Sequence, residues 1–157
     1  MQREGGSTSS SSEVDRGKSV EACRLVGTRT AESPTLTIKS FGFRYGLAGD
    51  SDLVFDVRFL PNPYFVETLR PHTGLAPEVA DYVLDRAEAR EFLDRLSEML
   101  RFLVPLYAAE GKAYVTVAFG CTGGRHRSVA IAEACARRLG EEGLSVIVRH
   151  RAIERTS

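Results

Sequence analysis

The residue types best suited to chemistry are gathered in residues 120–128, which read GCTGGRHRS between an apolar run and a helical pattern. Glycines there let backbone N–H groups approach a ligand closely, and a helix start adds free N–H groups and a positive dipole end. The cationic side chains suit phosphate oxygens, and Ser128 is placed to cap the helix. The residues predicted to bind a phosphate group are Gly120, Cys121, Thr122, Gly123, Gly124, Arg125, His126, Arg127 and Ser128. The competing interpretation is a tight strand-to-helix turn whose basic side chains only face solvent.

The spacing of Cys121 and Arg127 permits a second, catalytic interpretation of the same residues. Five residues separate them and Ser128 follows, which is the Cys-x5-Arg-Ser pattern of cysteine-dependent phosphatases. In such enzymes a thiolate attacks phosphorus while loop amides and the arginine hold the phosphoryl oxygens. A general acid is also needed, and Asp56 at the end of a predicted strand is the candidate. A phosphatase or other phosphoryl-transfer enzyme stays open, although a plain buried Cys121 is the favoured interpretation.

Neither the histidines nor the cysteines show the spacing of a metal site. His72, His126 and His150 lie far apart along the chain, and the three cysteines form no CxxC pair. We expect no metal, no disulfide framework and a reducing, cytoplasmic location. No apolar run approaches the ~20 residues that cross a bilayer, so no membrane partner is expected.

The overall charge is balanced, with 21 basic and 21 acidic residues. Attraction to nucleic acid must therefore come from local clusters of positive charge. One such cluster forms if the last strand lies beside the strand that precedes the glycine-rich residues. It predicts RNA contacts from Arg125, Arg149, His150 and Arg151. The alternative for the charged end of the chain is a solvated surface.

Composition divides the chain into two parts. Residues 1–33 are rich in Ser, Gly and charge and poor in large apolar groups, which predicts a disordered tail. Residues 34–157 have the length and patterning of one domain. Apolar alternation and continuous apolar runs predict strands at 35–43, 52–60, 112–119 and 144–149. Helical spacing predicts helices at 77–84, 88–107 and 127–139, with Pro105 expected to kink or end the second.

This order of elements predicts an α/β fold with an open, mostly parallel sheet of about four strands covered by helices. The alternation within strand 52–60 places Val57 and Phe59 on the same face. Ligands of such sheets gather at the carboxyl ends of the strands. We therefore expect residues 42–46, 56–63 and 120–128 to meet at one edge of the sheet.

Several long strings resemble the C-terminal domain of the RapZ/YvcJ family. They are SFGFRYG from Ser40, DLVFDVRFLPNP from Asp52, LRPHTGL from Leu69, VAFGCTGGRHRSVAIAE from Val117 and VRHR from Val148. The resemblance implies a domain similar to a subdomain of phosphofructokinase, with a pocket for a phosphorylated amino sugar or similar anion. It also implies RNA binding, a regulatory rather than enzymatic role, and a homo-oligomer or a separate protein partner. By the same resemblance, Asp56, Arg58 and Asn62 are ligand partners beside residues 120–128.

This chain departs from the family pattern at two places. Family members often have histidine after the PNP string where this chain has Tyr64, so a sugar contact at that position is not carried over. Family members also place a P-loop kinase-like domain ahead of this one, whereas residues 1–33 stand there in this sequence. The expectation is therefore a stand-alone domain with no ATP, GTP or other cofactor.

Overall fold

A computed structural model describes residues 22–26 and 33–155 of the chain. Within that part, five strands form one sheet in the order β1-β5-β2-β4-β3. The strands are β1 Ala22–Val26, β2 Thr35–Gly42, β3 Leu53–Asp56, β4 Tyr114–Cys121 and β5 Val146–His150. The helices are α1 Pro77–Leu84, α2 Ala87–Glu110 and α3 Arg127–Glu141, with 3-10 turns at Phe43–Tyr45 and Pro63–Phe65.

The predicted open, mostly parallel α/β sheet is confirmed. β2 pairs in parallel with both β4 and β5, and β3 pairs in parallel with β4. The register sets Gly42 opposite Cys121 and Asp56 opposite Gly120, so three strands end at the same edge. That edge is where residues 120–128 begin.

The fifth strand was not predicted, because β1 lies inside the segment 1–33 assigned to a disordered tail. It runs antiparallel to β5, and its Arg24 forms an ion pair with Glu133 of α3. The prediction is wrong for these five residues. Backbone pairing with β5 and one ion pair hold them in a strand, although their local composition does not favour ordered structure. The rest of the predicted tail lies outside the described residues, except for Ser33, which borders β2.

All three helices pack on one face of the sheet around a single apolar core. The core takes Leu36 and Ile38 from β2, Val117 and Phe119 from β4, and side chains of every helix. The opposite face carries a smaller apolar cluster made by Phe41, Ala48 and Ala118 with the partly buried Phe43. No helix in the described residues is long and apolar enough to cross a membrane.

Pro105 was expected to kink or end α2, and it does not end the helix. The helix continues to Glu110 and ends at Gly111, whose positive φ of 103° suits a left-handed cap. Leu100 and Val104, in the turn before the proline, are buried in the core. Their packing outweighs the ~3 kcal/mol that a proline costs inside a helix.

β3 is shorter than the predicted strand 52–60, because the chain turns after Asp56. The amide of Val57 still bonds to the carbonyl of Gly120 at 2.9 Å, but the amide of Leu60 then bonds back to Val57 at 3.2 Å. This turn buries Val57 and Leu60 and leaves Phe59 56% exposed. The expectation that Val57 and Phe59 share a face is therefore wrong.

Candidate functional site

The carboxyl edge of the sheet forms the floor of a cleft, and glycines let the backbone segments there touch. A Cβ atom at Gly42 would lie 2.5 Å from the carbonyl carbon of Gly123. Gly124 has a φ of 76°, and a Cβ atom there would lie 2.5 Å from the amide nitrogen of Gly42. Only glycine fits such an approach, so the end of β2 and residues 120–128 form one packed unit.

The cleft beside this floor has a volume of about 320 Å³. Its lining comes from three loops that the sequence predicted to meet. The lining residues are Arg44, Asn62, Tyr64, Phe65, Cys121, Thr122, Gly123, Arg125, His126 and Arg127. Among these, Arg44, Tyr64 and Phe65 were not predicted as site residues, although all three belong to or directly follow the predicted strand-end loops.

Five predicted residues lie beside or behind the cleft rather than on its wall. Gly120 packs against the rings of Phe41 and Phe43, where a Cβ atom would come within 2.6 Å of each. Gly124 packs on the end of β2, and Ser128 is fully buried. Asp56 and Arg58 are nearby but do not line the cleft.

Arg127 is the buried cation of the site, with only 6% of its surface exposed. One terminal nitrogen donates to the carbonyls of Arg58 at 3.0 Å and Leu60 at 3.3 Å. The other donates to the hydroxyl of Thr122 at 3.4 Å. Its buried Nε–H has no hydrogen-bond partner among the described residues. The guanidinium group therefore holds the turn after β3 against residues 120–128.

Cys121, which lines the cleft, contacts the buried Ser128 behind it. The distance from Sγ to Oγ is 3.1 Å, and Cys121 is only 3% exposed. The prediction that Ser128 caps α3 is wrong, because the N-cap residue is His126 and Ser128 lies one position inside the helix. Its hydroxyl turns inward to the sulfur instead of bonding the first turn.

His126 is buried and held by the loop that precedes α1. Its Nε2–H donates to the carbonyl of Arg70 at 3.2 Å. Burial lowers the pKa of this imidazole below its ordinary value, and the charges of Arg125 and Arg127 add to that shift. Backbone hydrogen bonds with Arg70 and His72 oppose it without reversing it. His126 is therefore neutral at neutral pH, and the positive charge of the cleft comes from arginines.

Asp56 is bound to Arg58 through both carboxylate oxygens. The Arg58 side chain donates at 2.6–3.0 Å, and its backbone amide adds a bond of 2.9 Å. These hydrogen bonds hold the pKa of Asp56 below its usual range. The Arg58 guanidinium also lies 4.2 Å from the ring centre of Phe43. The Asp56 carboxylate is thus ionised and paired with the Arg58 guanidinium.

The residues predicted to contact RNA lie in different environments. Arg125 donates to the carbonyl of Ile153 at 3.3 Å, and Arg151 donates to the carbonyl of Leu47 at 2.9 Å. Arg149 is half-buried on β5. His150 is only 3% exposed, with Nδ1 at 2.7 Å from the hydroxyl of Ser40 and Nε2 at 2.7 Å from Glu133. An RNA-facing His150 is therefore wrong, because both ring nitrogens are used inside the protein.

Metal-ligating groups do not gather anywhere in the described part of the chain. No cluster of three or more His, Cys, Asp or Glu residues there has the geometry to hold an ion. His126 and His150 each bond to their own separate partners.

Fold and site together define an α/β domain with a glycine-rich turn and an arginine-lined cleft at the carboxyl edge of a parallel sheet. The chain belongs to the RapZ C-terminal domain family, whose sequence model matches residues 34–154. This match confirms the resemblance seen in the sequence strings.

Relatives of this chain carry the name "nucleotide-binding protein". One from Trichlorobacter lovleyi is 53% identical over 131 residues, covering 83% of this chain and 46% of the relative. One from Mycolicibacterium smegmatis is 54% identical over 133 residues, covering 84% of this chain and 46% of the relative. One from Streptomyces coelicolor is 57% identical over 119 residues, covering 76% of this chain and 40% of the relative. The chain thus spans less than half of the length of these relatives.

Proposed function

We propose that the cleft binds the phosphate group of a small phosphorylated ligand, such as a sugar phosphate or amino sugar phosphate, in a regulatory role. The observation that carries this proposal is the Arg127 side chain, which lines the cleft beside the start of α3. Its hydrogen bonds among the described residues go to neutral oxygens, the carbonyls of Arg58 and Leu60 and the hydroxyl of Thr122. A buried guanidinium without a negatively charged partner is stabilised by a bound anion.

The surroundings of Arg127 favour an anion as well. Arg44 and Arg125 line the same cleft, and the backbone at Gly123 is uncovered because no side chain stands on it. The start of α3 contributes N–H groups and the positive end of the helix dipole. A phosphate group combines negative charge with several acceptor oxygens, which matches this set of donors.

Binding is favoured over catalysis by the state of the candidate catalytic groups. A nucleophilic thiolate must reach phosphorus, and Cys121 lines the cleft but has only 3% of its surface exposed. A general acid must hold a proton at working pH, whereas the lowered pKa of Asp56 keeps it ionised beside Arg58. The low exposure of Cys121 and the lowered pKa of Asp56 weigh against the cysteine-dependent phosphatase.

RNA binding stays a prediction drawn from the family resemblance. Arg125, Arg149 and Arg151 remain its candidate residues. The expected placement of the last strand beside the strand that precedes residues 120–128 is wrong, because β2 lies between β5 and β4, and the burial of His150 weakens the predicted surface further. The name of the relatives describes proteins more than twice as long as the matched part, so a nucleotide ligand does not follow from that name.

The test is isothermal titration calorimetry of the full chain with inorganic phosphate. The Gly123→Ala variant is titrated in the same way. A Cβ atom at Gly123 meets no protein atom within 4 Å, so the fold should tolerate alanine. The methyl group would keep a phosphate away from the backbone, and we expect affinity to fall about tenfold, which corresponds to ~1.4 kcal/mol.

Gly49→Ala is the matched control, because a Cβ atom there also meets nothing within 4 Å and Gly49 lies outside the cleft. It should bind phosphate as the unaltered protein does. If the unaltered protein shows no phosphate binding, or if both alanine variants lose affinity equally, the proposed site is wrong.

A further inference from the structure

The last described residues of the chain, 151–155, form a turn after β5 at the carboxyl edge of the sheet. The amide of Arg151 donates to the carbonyl of Ser40 at 3.0 Å, and the amide of Arg155 donates to the carbonyl of Ala152 at 3.1 Å. Ala152 and Ile153 are buried, so this segment packs against the rest of the domain. We call residues 151–155 the C-terminal turn.

The C-terminal turn packs directly on the glycine-rich residues of the cleft. A Cβ atom at Gly124 would lie 3.0 Å from the Cβ atom of Ala152. The Nε–H of Arg125 donates to the carbonyl of Ile153 at 3.3 Å, and another nitrogen of Arg125 donates to the carbonyl of Pro71 at 3.5 Å. Because Arg125 lines the cleft, the C-terminal turn helps to set the direction of one cleft arginine.

The C-terminal turn also contacts the segment that brings a second arginine, Arg44, to the cleft. Arg151 donates to the carbonyl of Leu47 at 2.9 Å, just after the 3-10 turn that contains Arg44. The guanidinium of Arg155 lies 4.3 Å from the ring centre of Tyr45, the residue next to Arg44. This distance is within the ~6 Å over which a cation is attracted to an aromatic face.

The third cleft arginine, Arg127, is held by other parts of the chain, the turn after β3 and Thr122. Arg44 and Arg125 are long side chains, and holding them in place before binding reduces the entropy that an anion must remove. We infer that the C-terminal turn positions Arg44 and Arg125 for an anion in the cleft, and that Arg155 is a positioning residue. This inference rests on the proposed function and adds the segment that sets its affinity.

The test is calorimetric titration of the full chain and of Arg155→Ala with inorganic phosphate. Without the cation over Tyr45, the 3-10 turn and its Arg44 are held less firmly. We expect the affinity for phosphate to fall about two- to fivefold, the range that one exposed cation–π contact supplies. Tyr45→Leu removes the same contact from the other side and should give the same loss. Arg155→Lys should retain most of the affinity, because an ammonium group also binds an aromatic face.

A double-variant cycle tests whether Arg155 acts through Arg44. Arg44→Ala should itself weaken phosphate binding, because it removes a cation from the cleft. Adding Arg155→Ala to that variant should cost little more, since the arginine that it positions is already gone. Losses that multiply in the double variant would show that Arg155 acts independently and would overturn its positioning role.

Glu154→Gln is the matched control, because it changes the net charge by one at the adjacent, exposed position. It should change the affinity less than Arg155→Ala does, since the effect of a lone exposed charge is screened by salt. An equal and opposite change in Glu154→Gln, or an equal loss in Arg155→Lys and Arg155→Ala, means that Arg155 does not act by positioning. If phosphate binds and Arg155→Ala and Tyr45→Leu bind it unchanged, the inference fails and the phosphate site stands. If the unaltered protein does not bind phosphate, the inference and the proposed function both fail.

Discussion

Burial affects the charge of two neighbouring cleft residues, Arg127 and His126, differently because their residue types differ. Arg127 keeps its charge when buried because guanidinium does not lose its proton in proteins. His126, one position earlier, is buried as well, and burial lowers its pKa. The two neighbouring basic residues thus have different roles. Arg127 is a permanent cation, whereas His126 is a neutral donor to the carbonyl of Arg70.

His126 makes the stability of the protein depend on pH. Its pKa is lowered in the folded state from the ordinary 6.5, so the unfolded chain binds the proton more readily. The contribution of neutral, buried His126 to the free energy of unfolding is complete above about pH 6.5. It is lost as the pH falls towards the lowered pKa. We expect the free energy of unfolding, measured in urea, to fall between about pH 7.5 and pH 5.5, and to fall less in His126→Gln.

The exposed His72 supplies the comparison for that measurement. His72→Gln should keep the pH dependence of the unaltered protein. An identical pH dependence in His126→Gln and the unaltered protein would show that His126 does not carry the effect.

Cys121 should be chemically silent towards phosphate esters. We expect no hydrolysis of p-nitrophenyl phosphate above the background rate, because the sulfur is buried and Asp56 holds no proton to donate. Cys121→Ser should not change that rate, and neither should Cys23→Ser at an exposed cysteine. Turnover that disappears only in Cys121→Ser would restore the phosphatase.

At the scale of elements, a chain of polar contacts, buried at Ser40 and His150, ties α3 to three strands. It runs from Ser40 of β2 through His150 of β5 to Glu133 of α3, and on to Arg24 of β1. Burial opposes the ionisation of Glu133, but hydrogen bonds from His150 and Arg24 outweigh it and hold its pKa below the usual value. Since Glu133 is ionised, the Nε2–H of His150 donates to its carboxylate. The Ser40 hydroxyl can act as donor or acceptor and pairs with Nδ1.

Glu133→Ala should destabilise the protein, because it leaves a buried nitrogen of His150 without a partner. The expected loss is about 1–3 kcal/mol in the free energy of unfolding. Urea unfolding followed by circular dichroism measures it, with Glu141→Ala as the control on an exposed position of α3. Equal losses in the two variants would contradict a structural role for this chain.

The elements were predictable from sequence where one periodic pattern dominates. The apolar run of β4 and the small-residue helix α3 lie within a few residues of their predicted bounds. Errors occurred where tertiary contacts decide the outcome. β1 depends on pairing with β5, and the end of β3 depends on a turn whose carbonyls accept from Arg127. α2 passes Pro105 because buried neighbours hold it.

At the scale of the whole molecule, the position of the candidate site follows from the parallel sheet. Parallel strands end at one edge, so the loops after β2, β3 and β4 had to meet. The sequence did not predict which side chains face the cleft, because their directions depend on the geometry of the turns. Arg44, Tyr64 and Phe65 line it without belonging to the predicted set, while the predicted Gly120 and Ser128 face inward.

Because Gly42 rests directly against Gly123, the floor of the cleft is already assembled before a ligand arrives. These two backbone segments need no rearrangement to come together, which keeps the ordering cost of binding at the proposed phosphate site small. If the cleft serves the proposed regulatory role, a partner would distinguish the occupied from the empty form by the charge and shape presented at the rim of the cleft.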